Sequence, residues 1–219
     1  MSVLLAILWK DLVTEWRSRD RVVAMLLFSM LVVMTFHFAG AGGSADMTSA
    51  PGLLWVAYIF AALLGLNRSF ALELDNDALS GLAMAPHDRG FIFLGKAIAN
   101  FVLIGIVQAV TALVFSLAFD LDLWGVAGPL AGVVALGTVG ICCAGTLFSA
   151  MAVRTRFREV LLPILLLPAL FPVLSAAVRG TSELLTTGSV PFEAIQLLLV
   201  VDGIYLIVSF LSFEYILDE

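Results

Sequence analysis

The chain has 219 residues, of which 62% are hydrophobic and 13% are charged. This composition excludes a soluble globular domain, because such a domain needs more polar surface than these residues provide to cover its core. The formal net charge is −6, and we expect the lipid bilayer as the surroundings of the protein and no nucleic acid among its partners.

Six apolar stretches are long enough to cross a membrane. About 20 residues of helix, at 1.5 Å per residue, cross a hydrocarbon layer roughly 30 Å thick. The sequence therefore predicts spans at about 22–39, 52–72, 91–119, 126–152, 160–178 and 194–217. The predicted fold class is an all-α membrane protein, with residues 1–219 forming a single transmembrane domain.

Residues 1–20 precede the first span and are amphipathic. Their charged residues lie mostly away from an apolar stripe at close to helical spacing, which consists of Leu4, Leu5, Leu8, Leu12 and Trp16. This pattern predicts an interfacial helix on the inner leaflet, with its tryptophans at the level of the headgroups. We expect no cleavable signal peptide, because the segment lacks an apolar core followed by a small-residue cleavage site.

The distribution of basic residues predicts the orientation in the membrane. Of the eleven Lys and Arg residues, only Arg179 falls on the side opposite to the others. Because basic residues concentrate in short cytoplasmic loops, both termini and the loop 67–96 are predicted to lie in the cytoplasm. Residues 179–193 then form an extracytoplasmic segment, either a short helix or a loop.

A polar segment interrupts the apolar sequence between the second and third spans. Asp75 or Asn76 can cap a short helix over residues 73–85, in which Leu79 and Leu82 share one face. The acidic side chains of the segment are Glu73, Asp75 and Asp77. A helix with a leucine ridge and an acidic flank can insert into a groove on a soluble protein. A solvated loop with one helical turn explains the pattern equally well.

Small residues mark the fourth span. The small-xxx-small pairs are Gly128 with Gly132, Gly140 with Ala144, and Gly145 with Ser149. Such pairs predict close packing of helix backbones without identifying the neighbouring helix. The adjacent Cys142 and Cys143 suit neither a redox pair nor a tetrahedral metal site, so we interpret them as small packing residues.

Prolines and acidic residues distinguish the last two spans. The fifth span contains three prolines, Pro163, Pro168 and Pro172. Each removes a backbone hydrogen-bond donor, so a broken fifth helix is predicted. The breaks could line a cavity or form a hinge, as in transporters, or could simply be kinks in a packed helix. The only ionisable residue within a span is Asp202, placed near the outer boundary, whereas Glu214 and Arg68 lie at span ends. Asp202 is interpreted as an interfacial or bundle-facing carboxylate, with an ion relay as the alternative.

No catalytic or metal-binding pattern can be assembled from the sequence. Gly90 to Lys96 satisfies the first seven positions of a phosphate-binding loop, but Ala97 stands where a hydroxyl residue should hold Mg²⁺. We therefore predict no ATP site, no enzyme activity and no metal site in this chain, so that any ATP is hydrolysed by another chain. His37 could reach a haem iron or a partner near the outer surface, or be a hydrogen-bonded surface histidine.

Three sequence blocks resemble the haem exporter protein B (CcmB) family of cytochrome c maturation permeases. They are Pro51-Gly-Leu-Leu-Trp-Val-Ala, Leu63-Leu-Gly-Leu-Asn-Arg-Ser-Phe and Leu79-Ser-Gly-Leu-Ala-Met-Ala-Pro86. The resemblance extends over nearly the whole chain, including the six spans and the proline-rich fifth span.

This resemblance implies the permease domain of a type 2 ABC exporter. In such a permease Glu73, Asp75, Asp77, Leu79 and Leu82 would form a coupling helix seated on a separate ATPase. It further implies two copies of the chain in the bacterial inner membrane, two copies of a CcmA-type ATPase, and CcmC- and CcmD-type membrane subunits. In this family the complex uses ATP to release a haem-loaded CcmE-type chaperone at the outer face, so ATP and haem are handled through the complex.

Other classes of function compete with this one. The first alternative is the permease of another type 2 ABC exporter, for a lipid, a polysaccharide or a drug. A structural assembly subunit would have the same fold but would not respond to nucleotide. A secondary transporter or channel would need more intramembrane charges along a path, and a membrane enzyme would need a catalytic constellation.

Overall fold

The computed structural model describes residues 3–41, 49–70, 89–121, 123–153, 155 and 157–218. Every regular element in these ranges is helical. The elements are α1 (Val3–Ser18), α2 (Asp20–Phe36) with a π-helical turn (His37–Ala41), α3 (Ala50–Asn67), α4 (Arg89–Phe119), a 3-10 turn (Trp124–Val126), α5 (Ala127–Val153), α6 (Arg158–Thr187) and α7 (Phe192–Asp218).

The prediction of an all-α membrane protein with six spans is confirmed. Helices α2 to α7 are each long and apolar enough to cross a membrane. Their spanning parts are Asp20–Ala39, Ala50–Asn67, Gly90–Phe119, Trp124–Val153, Glu159–Thr187 and Phe192–Ile216. Since the helices alternate in direction, α2, α4 and α6 begin at one end of the bundle, and α3 and α5 end there.

The fifth span differs from its prediction in two respects. Pro163, Pro168 and Pro172 lie inside α6, yet the helix is continuous through all three. A missing proline N–H leaves one carbonyl without its helical partner, and neighbouring helices can hold the backbone in place despite that loss. The helix also continues past residue 178 and ends at Gly188, which has a φ of 77° and donates its N–H to the Leu184 carbonyl.

Helices α3 and α5 form the centre of the bundle. Trp55 on α3 is buried and donates its Nε1 hydrogen to Thr181 Oγ1 on α6 at 3.0 Å. A Cβ at Gly137 on α5 would collide with the Trp55 ring, and a Cβ at Gly145 would collide with Leu66. These two glycines therefore allow α5 to lie directly against α3.

Of the predicted small-residue pairs, two lie in helix contacts. Gly145 and Ser149 face α3, where Ser149 Oγ donates to the Leu66 carbonyl at 2.6 Å. Gly140 faces α6 and α7 instead. Gly128 and Gly132 are exposed, with open space where a Cβ would be.

The interpretation of the two cysteines as packing residues is confirmed. Cys142 and Cys143 are both free thiols buried in the core of the bundle. They belong to two separate apolar clusters, so each fills space against different neighbours. The core thus uses them as small apolar side chains.

Helix α1 packs along the first turns of α4. Ile7 is buried there, against Gly95, whereas Trp9 and Trp16 are 67% and 77% exposed. A tight corner at Arg19, with a φ of 58°, joins α1 to α2. The helix matches the predicted amphipathic segment; its location on the inner leaflet stays a prediction.

Candidate functional sites

The predicted coupling residues lie outside the described residues. Glu73, Asp75, Asp77, Leu79 and Leu82 fall between Phe70, just after α3, and Arg89, at the start of α4. The structure does describe the two helix ends that carry this segment. A cluster of polar side chains lies at the end of α3 and against the second and third turns of α4.

Lys96 forms the centre of this cluster. It lies two turns into α4 with 1% of its surface exposed. Its Nζ atom donates to Asp11 Oδ2 at 3.1 Å and to the Ser69 carbonyl at 2.9 Å, and lies 4.6 Å from the centre of the Phe70 ring. A buried ammonium is tolerated when charge and hydrogen bonds replace water, so Lys96 holds the end of α3 against α1.

Gly90 to Lys96 match the first seven positions of a phosphate-binding loop in sequence but differ from such a loop in structure. These residues form the first two turns of α4, so their carbonyls and amides belong to a helix. In a phosphate-binding loop, by contrast, the backbone amides curl around the ligand and the lysine reaches it. Here the lysine is engaged by Asp11 and by the Ser69 carbonyl.

Asn100 extends the cluster to two further helices. It lies four residues after Lys96, on the same face of α4. Its Nδ2 group donates to Ser69 Oγ at 3.0 Å and to Thr146 Oγ1 on α5 at 2.9 Å, and its Oδ1 atom accepts from Arg21 on α2 at 3.1 Å. One buried amide therefore joins the starts of α2 and α4 to the ends of α3 and α5.

Glu15 completes the cluster at the corner between α1 and α2. Its Oε1 atom accepts the Val22 N–H at 3.0 Å, which satisfies one of the free amides in the first turn of α2. Its Oε2 atom lies 3.6 Å from Arg21 Nε. We call the whole set the polar cluster; it consists of Asp11, Glu15, Arg21, Ser69, Lys96, Asn100 and Thr146.

The polar cluster joins five helices at one end of the bundle and balances its own charge. Two carboxylates, Asp11 and Glu15, face two cations, Arg21 and Lys96. Ser69 precedes the segment 71–88 and Lys96 follows it, and hydrogen bonds connect these two residues, directly or through Asn100, with α1, α2 and α5. The arrangement suits mechanical linkage between helices.

Sequence reasoning missed this site. It counted Lys96 as a basic residue near a span end and recognised only Asp202 as an ionisable residue within a span. In the structure Lys96 lies inside the spanning part of α4. The signal was the presence of Lys96 and Asn100 four residues apart in an otherwise apolar helix, since polar residues in spans usually face the bundle interior.

Asp202 lies inside the bundle, which agrees with its interpretation as a bundle-facing carboxylate, but it lies deeper than the predicted position near the outer boundary. It is ten residues into α7, well away from the outer boundary, and 5% of its surface is exposed. Glu214, near the end of the same helix, is exposed.

His37 lies in the π-helical turn after α2, at the other end of the bundle. Its ring packs edge-on against Phe38 and Phe119, with ring centres 5.5 and 5.9 Å away. Within the part of the chain that the structure describes, no group of three His, Cys, Asp or Glu side chains could hold a metal ion. Ligation of a haem iron by His37 stays untested.

A cavity of about 360 Å³ lies between α4 and α5. Its walls are mostly small or apolar, and the polar side chains of Tyr58, Gln108 and Thr138 form its buried floor. Thr138 and Gln108 are hydrogen-bonded to each other at 2.7 Å.

The fold and these sites together define a class of protein: a polytopic membrane protein whose polar side chains tie the spans together at one end. The family model described as CcmB protein matches residues 2–213. The chain therefore belongs to the CcmB family.

Curated relatives agree with this assignment. The chain is 33% identical over 171 residues to "Heme exporter protein B" of Paracoccus denitrificans, covering 77% of this chain and 78% of the relative. It is 31% identical over 175 residues to the protein of the same name from Rhodobacter capsulatus, covering 77% and 78%. The protein of that name from Haemophilus influenzae is 29% identical over 178 residues, with 78% of each chain covered.

Proposed function

We propose that the chain is the membrane permease subunit of an ABC transporter complex that handles haem during cytochrome c maturation. The observation that carries this proposal is the match of the CcmB family over residues 2–213, which covers the first five spans and all but the last three residues of the sixth. Curated relatives of similar length bear the name "Heme exporter protein B". In the proposed complex a separate CcmA-type ATPase hydrolyses ATP. The permease transmits the resulting movement across the membrane.

The proposed point of force transfer is the coupling helix at 73–85, with Glu73, Asp75, Asp77, Leu79 and Leu82 on the ATPase. The segment that contains it begins after Phe70, next to Ser69 of the polar cluster, and ends at the start of α4, two turns before Lys96. Because Lys96 bonds to the Ser69 carbonyl and to Asp11, a push on the segment is passed to α1 and α4 together. Rigid spans then carry the motion to the far side of the membrane.

The proposed partners follow from the family. They are two CcmA-type ATPase subunits, a second copy of this chain, CcmC- and CcmD-type membrane subunits, and a haem-loaded CcmE-type chaperone that is released at the outer face. The proposed location is the bacterial inner membrane with both termini in the cytoplasm. This orientation places the polar cluster on the side where ATP is available.

Charge reversal in the coupling helix tests the proposal. The triple change Glu73→Lys, Asp75→Lys and Asp77→Lys is expected to abolish co-purification of the ATPase with the permease, because the acidic flank would then repel the surface that it normally contacts. The measurement is the ATPase recovered per permease after affinity purification from detergent-solubilised membranes.

A matched control reverses charges at the other end of the bundle. Glu183→Lys with Glu193→Lys changes one partly exposed and one exposed acidic residue there and is expected to leave ATPase recovery unchanged. Undiminished recovery with the triple variant, at normal permease levels, would count against the proposed coupling helix.

A further inference from the structure

Asp202 lies at mid-depth in the membrane. The spanning part of α7 is Phe192–Ile216. Asp202 lies ten positions after its first residue, Phe192. At 1.5 Å per residue this distance is about 15 Å, half of a hydrocarbon layer roughly 30 Å thick. A carboxyl group at this depth has no access to bulk water along its own helix.

Three helices enclose this carboxyl group. On α5, Gly140 leaves space for the carboxyl group of Asp202. A Cβ at position 140 would lie 2.5 Å from Asp202 Oδ1 and 2.9 Å from Val173 Cγ2 on α6. The side chain of Asp202 therefore fits between α5, α6 and α7 only because residue 140 has no side chain.

None of the described neighbours supplies a counter-charge. The titratable groups near Asp202 are the Cys143 thiol on α5 and the Tyr205 hydroxyl on α7. Tyr205 donates its hydrogen to the Ala169 carbonyl on α6. The described charged side chains of α6 lie towards its ends, and Lys96 on α4 is bonded to Asp11.

Neither oxygen of Asp202 has a hydrogen-bond partner among the described residues. An ionised carboxylate in such surroundings is strongly disfavoured, and the usual outcome is that the group takes up a proton. The close approach of α5 at Gly140 leaves only 5% of the surface of Asp202 exposed. A bound metal cation would need several oxygen ligands, and no group of three His, Cys, Asp or Glu side chains that could hold one is found among the described residues.

We propose that Asp202 is a proton-binding site inside the membrane, occupied while α5, α6 and α7 are packed together and emptied when they separate enough to admit water. The inference goes beyond the proposed function, because it does not depend on the coupling helix or on haem. An apolar side chain at position 202 would suffice for packing alone. A carboxyl group, in addition, becomes negatively charged when it loses its proton as the helices separate.

Infrared spectroscopy of the full-length protein in lipid vesicles at pH 7 tests the proposal. The C=O stretching band of a protonated carboxyl group is expected in the unmodified protein and absent in Asp202→Asn. An ordinary aspartate, with a pKa near about 3.9, would show no such band at this pH. The matched control is Glu214→Gln on the same helix, which should keep the band.

Isotope labelling provides a measurement on the unmodified protein. Aspartate labelled with ¹³C at the side-chain carboxyl should shift the band, whereas labelled glutamate should not. Absence of the band at pH 7, or its persistence in Asp202→Asn, would overturn the assignment even if one variant failed to fold.

The link to helix packing is tested with Gly140→Ala. The added methyl group pushes α5 away from the carboxyl, so water should reach it and the band should disappear at a lower pH than in the unmodified protein. The control is Gly132→Ala on the exposed side of α5, where a Cβ meets open space, and its titration should be unchanged. An identical titration curve for Gly140→Ala would refute the claim that separation of the helices empties the site.

Discussion

Lys96 is a buried cation whose neighbours replace the water that it has lost. Asp11 neutralises it, the Ser69 carbonyl accepts a hydrogen bond, and the Phe70 ring lies beside it. A buried pair contributes little net stability compared with two apolar residues, yet loss of one partner leaves the other without compensation. The pair is thus sensitive to single changes.

Lys96→Met is expected to destabilise the protein by about 3–5 kcal/mol, because Asp11 and the Ser69 carbonyl would lose their donor. The measurement is thermal unfolding of the purified protein in detergent. The double variant Lys96→Met with Asp11→Asn should recover part of the loss, because it removes a carboxylate that would keep only the exposed Lys10 as its counter-ion.

Lys10→Met is the matched control for this prediction. Its Nζ atom lies 3.2 Å from Asp11 Oδ1, but 47% of its side chain is exposed. An exposed ion pair contributes within about 1 kcal/mol. Equal destabilisation by the changes at Lys96 and Lys10 would show that burial of the ammonium is unimportant.

Single residues were also the hardest part of the site to predict. Asp202 was recognised from its charge within an apolar run, but its depth required the actual start of α7 at Phe192. The partners of Lys96 come from α1 and from the turn after α3, 85 and 27 residues away in sequence. Hydropathy carries no information on such pairings.

Among the helices, α5 shows how a glycine allows a neighbouring helix to pack closely. Gly145→Ala is expected to destabilise the protein by about 1–3 kcal/mol, because the new methyl group would collide with Leu66 on α3 and force the helices apart. Thermal unfolding in detergent measures the change.

Gly128→Ala on the same helix provides the comparison. Residue 128 is exposed and has open space at the Cβ position, so the substitution is expected to be neutral or to stabilise by up to about 1 kcal/mol through better helix propensity. A loss of stability at both positions would indicate a general intolerance of α5 to larger residues.

The six spans could be predicted because the hydrocarbon layer fixes both length and polarity. The end of the fifth span could not be predicted, because a helix can continue into polar sequence once it leaves the lipid. Arg179 and Glu183, an i,i+4 pair 3.6 Å apart, lie on that continuation. The three prolines of α6 likewise led to a prediction of breaks in the helix. In the folded protein α6 is packed against α5 and α7 and is continuous.

For the whole molecule, the arrangement of basic residues predicts an orientation that labelling can test. In a background with Cys142→Ala and Cys143→Ala, a cysteine is introduced by Ser189→Cys or by Ser18→Cys at exposed positions on opposite ends of the bundle. A membrane-impermeant maleimide added to intact spheroplasts is expected to label position 189 and not position 18. Labelling at position 18 instead would invert the topology and place the segment 71–88 away from ATP.

The overall architecture followed from composition, since an apolar chain of this length must satisfy its backbone within helices. The way in which the spans are tied together did not follow from it. The polar cluster combines residues from five helices, and each contributes one or two side chains that look unremarkable in their own stretch of sequence. Only the folded chain places Glu15, Asn100 and Thr146 within one connected group.

The unbroken α6 has a consequence for the far side of the membrane. Its 30 residues make a rod of about 45 Å, and residues 159–178 already suffice for the hydrocarbon layer. A membrane crossing confined to residues 159–178 would leave nine further residues, about 13 Å of helix, to extend beyond the lipid. Arg179 lies 3.6 Å from Glu193 at the start of α7, so a tilt of α6 would move this exposed end of the helix together with the start of α7.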